Sequence, residues 1–198
     1  AGTYTVALTV TDNLGATNAS SQSVTVTAPV GAVTLAADSF ARTVTAGWGS
    51  ADQGGAWTLK GTASRYSVDG SVGKIAVPAG QTLTSSLASV SSTSTDLTAV
   101  IGIDQVPSVG SLYALVEARQ VSSSSGYGAR VLFTSAGRIQ LYLTGGGNGT
   151  YLAGGQLPST VTFAAGDQFN VRVVVDGVSP TTIEAKVWKV GTTEPTAW

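Results

Sequence analysis

Apolar and polar residues alternate with period two through most of this chain. Thr3, Thr5, Ala7, Thr9 and Thr11 alternate with Tyr4, Val6, Leu8 and Val10, which gives a strand with one apolar and one polar face. Turn chemistry follows at Asp12-Asn13-Leu14-Gly15, and residues 21–28 alternate again, so the first 28 residues read as one β-hairpin. Two strands alone bury too little apolar surface to offset chain entropy. Further strands are expected at 65–68, 74–77, 82–87, 96–104, 112–120, 127–133, 138–144, 168–176 and 182–190. Asp69-Gly70 marks a hairpin tip. The polar runs at 122–126 and 144–149 read as loops joining antiparallel neighbours, which makes the middle of the chain a meander. No stretch carries apolar residues at three- and four-residue spacing, so no helix is expected.

The alternation also sorts side chains by face. Leu112, Ala114, Val116 and Ala118 share one parity, with Tyr113, Glu117 and Arg119 opposite. Tyr127, Ala129, Val131 and Phe133 oppose Arg130, and Ile139, Leu141 and Leu143 oppose Arg138, Gln140 and Tyr142. Phe169, Val171, Val173 and Val175 oppose Asn170 and Arg172, while Ile183, Ala185 and Val187 oppose Glu184, Lys186 and Trp188. If these five strands share a sheet, Tyr113, Glu117, Arg119, Arg130, Tyr142, Arg172, Glu184 and Trp188 form one broad non-core face. Such a face suits a sugar, whose C–H patches stack on rings and whose hydroxyls bond to planar Arg and carboxylate groups. Trp188 is then the stacking platform, with Arg130 and Glu117 as hydroxyl partners. The competing reading is a solvated face whose charges pair across strands. Trp48 and Trp57, each beside glycines, are expected in a core.

Composition narrows the function classes. The chain has 198 residues, 11% of them charged, a net charge of −1, and no Cys, His or Met. Disulfides, thiolate and imidazole metal sites, Ser-His-Asp machinery and His acid–base chemistry are thereby excluded. No basic patch is present to track phosphates, so nucleic acid is not an expected partner. No apolar run approaches the roughly 18 residues that span a bilayer, so no membrane insertion is expected. A Thr/Ser-rich surface with few oxidisable residues fits an extracellular bacterial protein. Asn18-Ala19-Ser20 and Asn148-Gly149-Thr150 are sequons of the kind that chance produces in so Ser/Thr-rich a chain.

Two resemblances refine this. Gly2, Tyr4, Val6, Leu8, Val10, Asp12 and Gly15 match the last two strands of a PKD (polycystic kidney disease) repeat, an immunoglobulin-like sandwich. Residues 35–198 resemble a laminin G-like, concanavalin A-type jelly roll of secreted actinobacterial proteins. That likeness rests on Asp38-x-Phe40-x-Arg42, Gly47-Trp48-Gly49, Gly55-x-Trp57, Tyr127-x-x-Arg130 and the segment 185–198. The expected organisation is a PKD-like hairpin over 1–28, a linker over 29–34 and an antiparallel jelly-roll β-sandwich over 35–198. Both ends are expected to be truncated, leaving a strand at 38–40 without its usual partner. The jelly-roll resemblance implies a structural Ca²⁺, for which Asp38, Asp52 and Asp69 are the candidate ligands. It also implies a glycan held on the concave side of a sheet.

Catalysis has little support in the sequence. Glycosidases need two carboxylates about 5–5.5 Å apart when retaining and about 6.5–9.5 Å apart when inverting. Jelly-roll glycosidases of the laminarinase type carry them as Glu-x-Asp-x-x-Glu, a spacing absent here. The glutamates are Glu117, Glu184 and Glu194, and nearby Arg and Lys are expected to hold the first two ionised. The leading expectation is a non-catalytic accessory module of a secreted or cell-surface multidomain protein, binding polysaccharide beside neighbouring domains of its own chain. A structural or adhesive spacer is the alternative, and a glycosidase domain comes third.

Overall fold

The computed structural model describes residues 2–26, 31, 33–147, 149–158 and 161–198. Pro29, Val30 and Ala32 of the expected linker lie outside the described residues, as do Thr27 and Ala28 of the expected hairpin and Asn148 of the second sequon. The chain is all-β, built of antiparallel sheets, with a 3-10 turn at Ala63–Arg65. It divides into two compact units, Ala1–Val90 and Ser91–Trp198, so a division falls within the stretch expected as one sandwich.

In the first unit, β1 (Gly2–Thr11) and β2 (Thr17–Val26) form the expected hairpin. Asp12 closes its turn, its carboxylate accepting the Leu14 and Ala16 amides at 2.9 Å each. Tyr4, Val6, Leu8 and Val10 remain exposed along its apolar face. The rest of the unit holds short strands: β3 (Thr43–Val44), β4 (Thr58–Lys60), β5 (Tyr66–Asp69), β6 (Gly73–Ile75) and β7 (Thr84–Ser86). They pair as β3-β5-β6 and β4-β7. Their core is aromatic, with Trp48 and Tyr66 buried and Phe40 and Trp57 packed on them. Trp48 meets Phe40, Trp57 and Tyr66 edge-on, with centroids 5.3, 5.1 and 5.9 Å apart. Gly73 permits this closeness, because a Cβ there would come within 2.6 Å of the Phe40 ring.

The second unit is a two-layer sandwich. β9 (Ser111–Ser122), β10 (Ser125–Thr134), β11 (Ile139–Gly145) and β12 (Thr150–Gln156) form a four-stranded meander. β8 (Thr95–Gly102), β13 (Gln168–Asp176) and β14 (Thr182–Lys189) form the other sheet, with β13 in the centre. One core lies between them. Ala129, Val131, Phe133 and Ile139 from the meander meet Phe169, Val171, Val173, Val175, Ala185 and Val187. The inward parity of these residues is the one the alternation assigns, and burying them supplies the main force holding the layers together.

Candidate functional site

The eight expected site residues do not share a sheet. β9, β10 and β11 belong to the meander, whereas β13 and β14 belong to the opposite layer. Because both layers turn their apolar sides to a common core, their polar sides face away from one another. Tyr113, Glu117, Arg130 and Tyr142 therefore occupy one outer face, and Arg172, Glu184 and Trp188 the other. The expected groove with Trp188 as platform and Arg130 and Glu117 beside it is not formed. Period-two alternation is identical in both layers, so parity alone could not separate them.

Arg119 departs for another reason. Tyr127 pairs with Arg119 but Gly128 pairs with Glu117, leaving Ala118 as the extra residue of a β-bulge. The bulge reverses the parity beyond it, so Arg119 lies beside the core-packed Tyr127, its guanidinium carbon 4.8 Å from that ring. There Nη1 donates to the carbonyls of Thr93 and Gly177 at 2.8 and 2.7 Å, and Nη2 donates to Thr181 Oγ1 at 2.8 Å.

On the outer face of the meander, Arg130 is flanked by tyrosines. Its guanidinium carbon lies 4.5 Å from the Tyr113 centroid and 5.1 Å from that of Tyr151, and Nη1 donates to Tyr151 Oη at 3.2 Å. Tyr151 stacks on Tyr142 at 4.4 Å with planes 26° apart. No carboxylate among the described residues pairs with Arg130. Tyr113 and Tyr151 keep 39% and 48% of their surface exposed, so a ligand can reach both. Tyr151 is not among the residues expected from sequence. A register shift between Leu143 and Thr144 sets it opposite Thr144 and beside Tyr142, and a Gly-rich strand without alternation gives no warning of this. Glu117, exposed as a residue, tucks its carboxyl against Gly126, where any Cβ would clash with it. That cover pushes its pKa up, and no cation among the described residues pairs with it. The Arg and Lys partners expected at Glu117 are therefore not found among the described residues, and burial alone shifts its carboxyl. Glu184 lies on the other layer, so the two cannot act as a carboxylate pair across one sheet.

On the outer face of the three-stranded sheet, residues 194–198 pack against Arg172 and Lys186. Arg172 and Lys186 stand directly opposite in register, a repulsive placement. Glu194 relieves it, lying 2.9 Å from Arg172 and 2.7 Å from Lys186, while Asp96 takes the remaining edge of Arg172 at 2.8 and 2.5 Å. Lys186 Nζ also donates to the Pro195 carbonyl at 2.9 Å, and its ammonium sits 4.1 Å from the Trp198 ring centroid. Lys186 is consequently buried. Lys186 first and Arg172 second hold the Glu194 carboxyl below its usual range.

The three aspartates expected as Ca²⁺ ligands have separate employments, and no group of three or more acidic residues among the described residues is placed to hold a metal. Asp38 accepts Arg42 at 2.7 and 2.8 Å, Trp57 Nε1 at 2.6 Å and the Phe40 amide at 2.9 Å. Arg42 is the largest cause lowering its pKa to about 2. These contacts hold 38–40 in irregular structure rather than the expected strand. Asp52 accepts the Ser39 amide at 2.7 Å, and Asp69 caps its own hairpin turn and pairs with Lys74 at 2.7 Å. Comparison with protein-family models, with curated proteins and with solved structures finds no match to this chain.

Proposed function

We propose that the chain is a non-catalytic accessory module of a secreted or cell-surface multidomain protein, and that it binds polysaccharide on the outer face of the β9–β12 sheet. The observation that carries this reading is the row Tyr113–Arg130–Tyr151–Tyr142: accessible rings around a guanidinium that no carboxylate among the described residues neutralises. Stacked rings offer apolar platforms to sugar C–H faces, and Arg130, Gln140 and the tyrosine hydroxyls offer hydrogen bonds. Glu117 is the single carboxylate on β9–β12, so the pair that glycoside hydrolysis requires is missing from this face. The jelly-roll identity, the PKD-like hairpin and the extracellular location belong to this same proposal.

Affinity electrophoresis of the full chain through gels containing a panel of polysaccharides tests it. Tyr151→Ala is expected to weaken retardation by about 1–3 kcal/mol, the range of a lost interface aromatic, with Trp188→Ala unchanged. Binding that follows Trp188 rather than Tyr151, or no retardation by any polysaccharide, would overturn the reading. The ion-paired face around Arg172 specifically favours a second reading, a structural spacer, and the latter outcome would select it.

A further inference from the structure

Arg119 borders a pocket of about 320 Å³ at one end of the sandwich, apart from the outer faces. Its position is fixed from several directions, since Thr93, Gly177 and Thr181 take three of its N–H donors and Tyr127 lies under its plane. Carbonyls and a hydroxyl orient a guanidinium without cancelling its charge. No carboxylate among the described residues does so either; Asp176, next to Gly177, takes a hydrogen bond from Ser94 instead. Nε is buried out of a ligand's reach and has no acceptor among the described residues, which leaves the second Nη2 hydrogen as the donor for a ligand. A cation taken partly out of water without a counter-charge is costly, and a carboxylate is the group that guanidinium donors match best.

We propose that this pocket binds the carboxylate of a single acidic sugar. Its size lies at the low end of small-molecule sites, roughly 300–1,000 Å³, which accommodates one monosaccharide ring rather than a chain. The lining combines the polar residues Ser92, Thr93, Thr181 and Gln120 with the apolar Val121 and Val178. That mixture suits a ring carrying both hydroxyls and C–H faces. The fixed placement of Arg119 means that little ordering remains to be done when a ligand arrives. This site does not rest on the tyrosine face.

The test is a titration of the ¹⁵N-labelled full chain with D-glucuronate and, separately, D-glucose, followed by amide shifts. Glucuronate is expected to move the amides of Thr93, Arg119, Gln120, Val178 and Thr181 saturably, with glucose at least tenfold weaker. Gln120→Glu places a carboxylate on the exposed pocket wall without removing any anchor of Arg119, and is expected to weaken glucuronate at least tenfold while the rest of the spectrum is preserved. Tyr151→Ala should leave the glucuronate response unchanged, which separates this site from polysaccharide binding. An equal response to both sugars, no saturable shift at millimolar glucuronate, or indifference to Gln120→Glu would overturn the proposal.

Discussion

Arg130 and Arg172 hold comparable places in the Ser91–Trp198 sandwich. Each stands on an inner strand of its sheet, on the side away from the core, with neighbouring strands on both flanks. Arg172 is held by Asp96 and Glu194 and lies beneath the chain's last residues, with Trp198 5.4 Å away. Arg130 is flanked by tyrosines, with no carboxylate paired to it among the described residues. One arginine holds residues near position 198; the other carries a charge that no carboxylate among the described residues pairs with. Parity decides that both point outward, whereas the partners delivered by other segments decide what each can do.

The shared core is the first place to break the comparison. Phe133 is fully buried and packs against Phe163 and Phe169, so Phe133→Ala should destabilise the unit by about 3–5 kcal/mol and disturb both faces together. Urea denaturation measures this, and a loss confined to one face would contradict a common core. Arg130→Ala removes two ring contacts, each worth about 0.5–1 kcal/mol at an exposed site, so a loss of about 1–2 kcal/mol is expected from the same melts. Glu194→Gln should act more locally. With fluorotryptophan incorporated, the Trp198 ¹⁹F line should move toward its position in unfolded chain, with little change in melting temperature.

Acid titration sharpens the contrast, because the two faces respond with opposite sign. The Glu194 pKa is lowered in the folded state, so its contribution is complete above the ordinary value of 4.5 and lost as pH falls through the lowered value. The Glu117 pKa is raised, so its carboxyl favours folding below 4.5 and this benefit is lost as pH rises through the raised value. Carboxyl ¹³C shifts of the two glutamates should titrate on opposite sides of 4.5, and coincident curves would refute the assignment.

Much of the fold was legible as period-two patterning. The inward sides of β9, β10, β13 and β14 and the central meander follow from alternation, since a buried sheet face penalises any other register, and the pairing of β1 with β2 follows from alternation and the turn at Asp12. The partition into two layers was not legible, because Val171 and Val131 alternate alike whichever sheet they join. Arg119 was misplaced by one bulge residue, Ala118, whose insertion leaves no compositional trace. Tyr151 escaped because "TYLAGGQ" does not alternate. The clasp on Arg172 and Lys186 comes from Glu194 and Trp198, in a segment without regular structure where no periodicity points to the contact. Strands of two or three residues, Thr43–Val44 and Thr58–Lys60, are too short to show a period.

The central claim is that ligand meets the tyrosine face of the meander and not the ion-paired outer face of the three-stranded sheet. Amide and aromatic shift mapping of the labelled full chain, with an oligosaccharide cut from whichever polysaccharide retards it, tests this most directly. The account predicts saturable shifts at Tyr113, Arg130, Tyr142 and Tyr151, with Asn170, Arg172, Glu184 and Trp188 unmoved. Shifts centred on Arg172 and Trp188, with Tyr113 and Tyr151 silent, would contradict it.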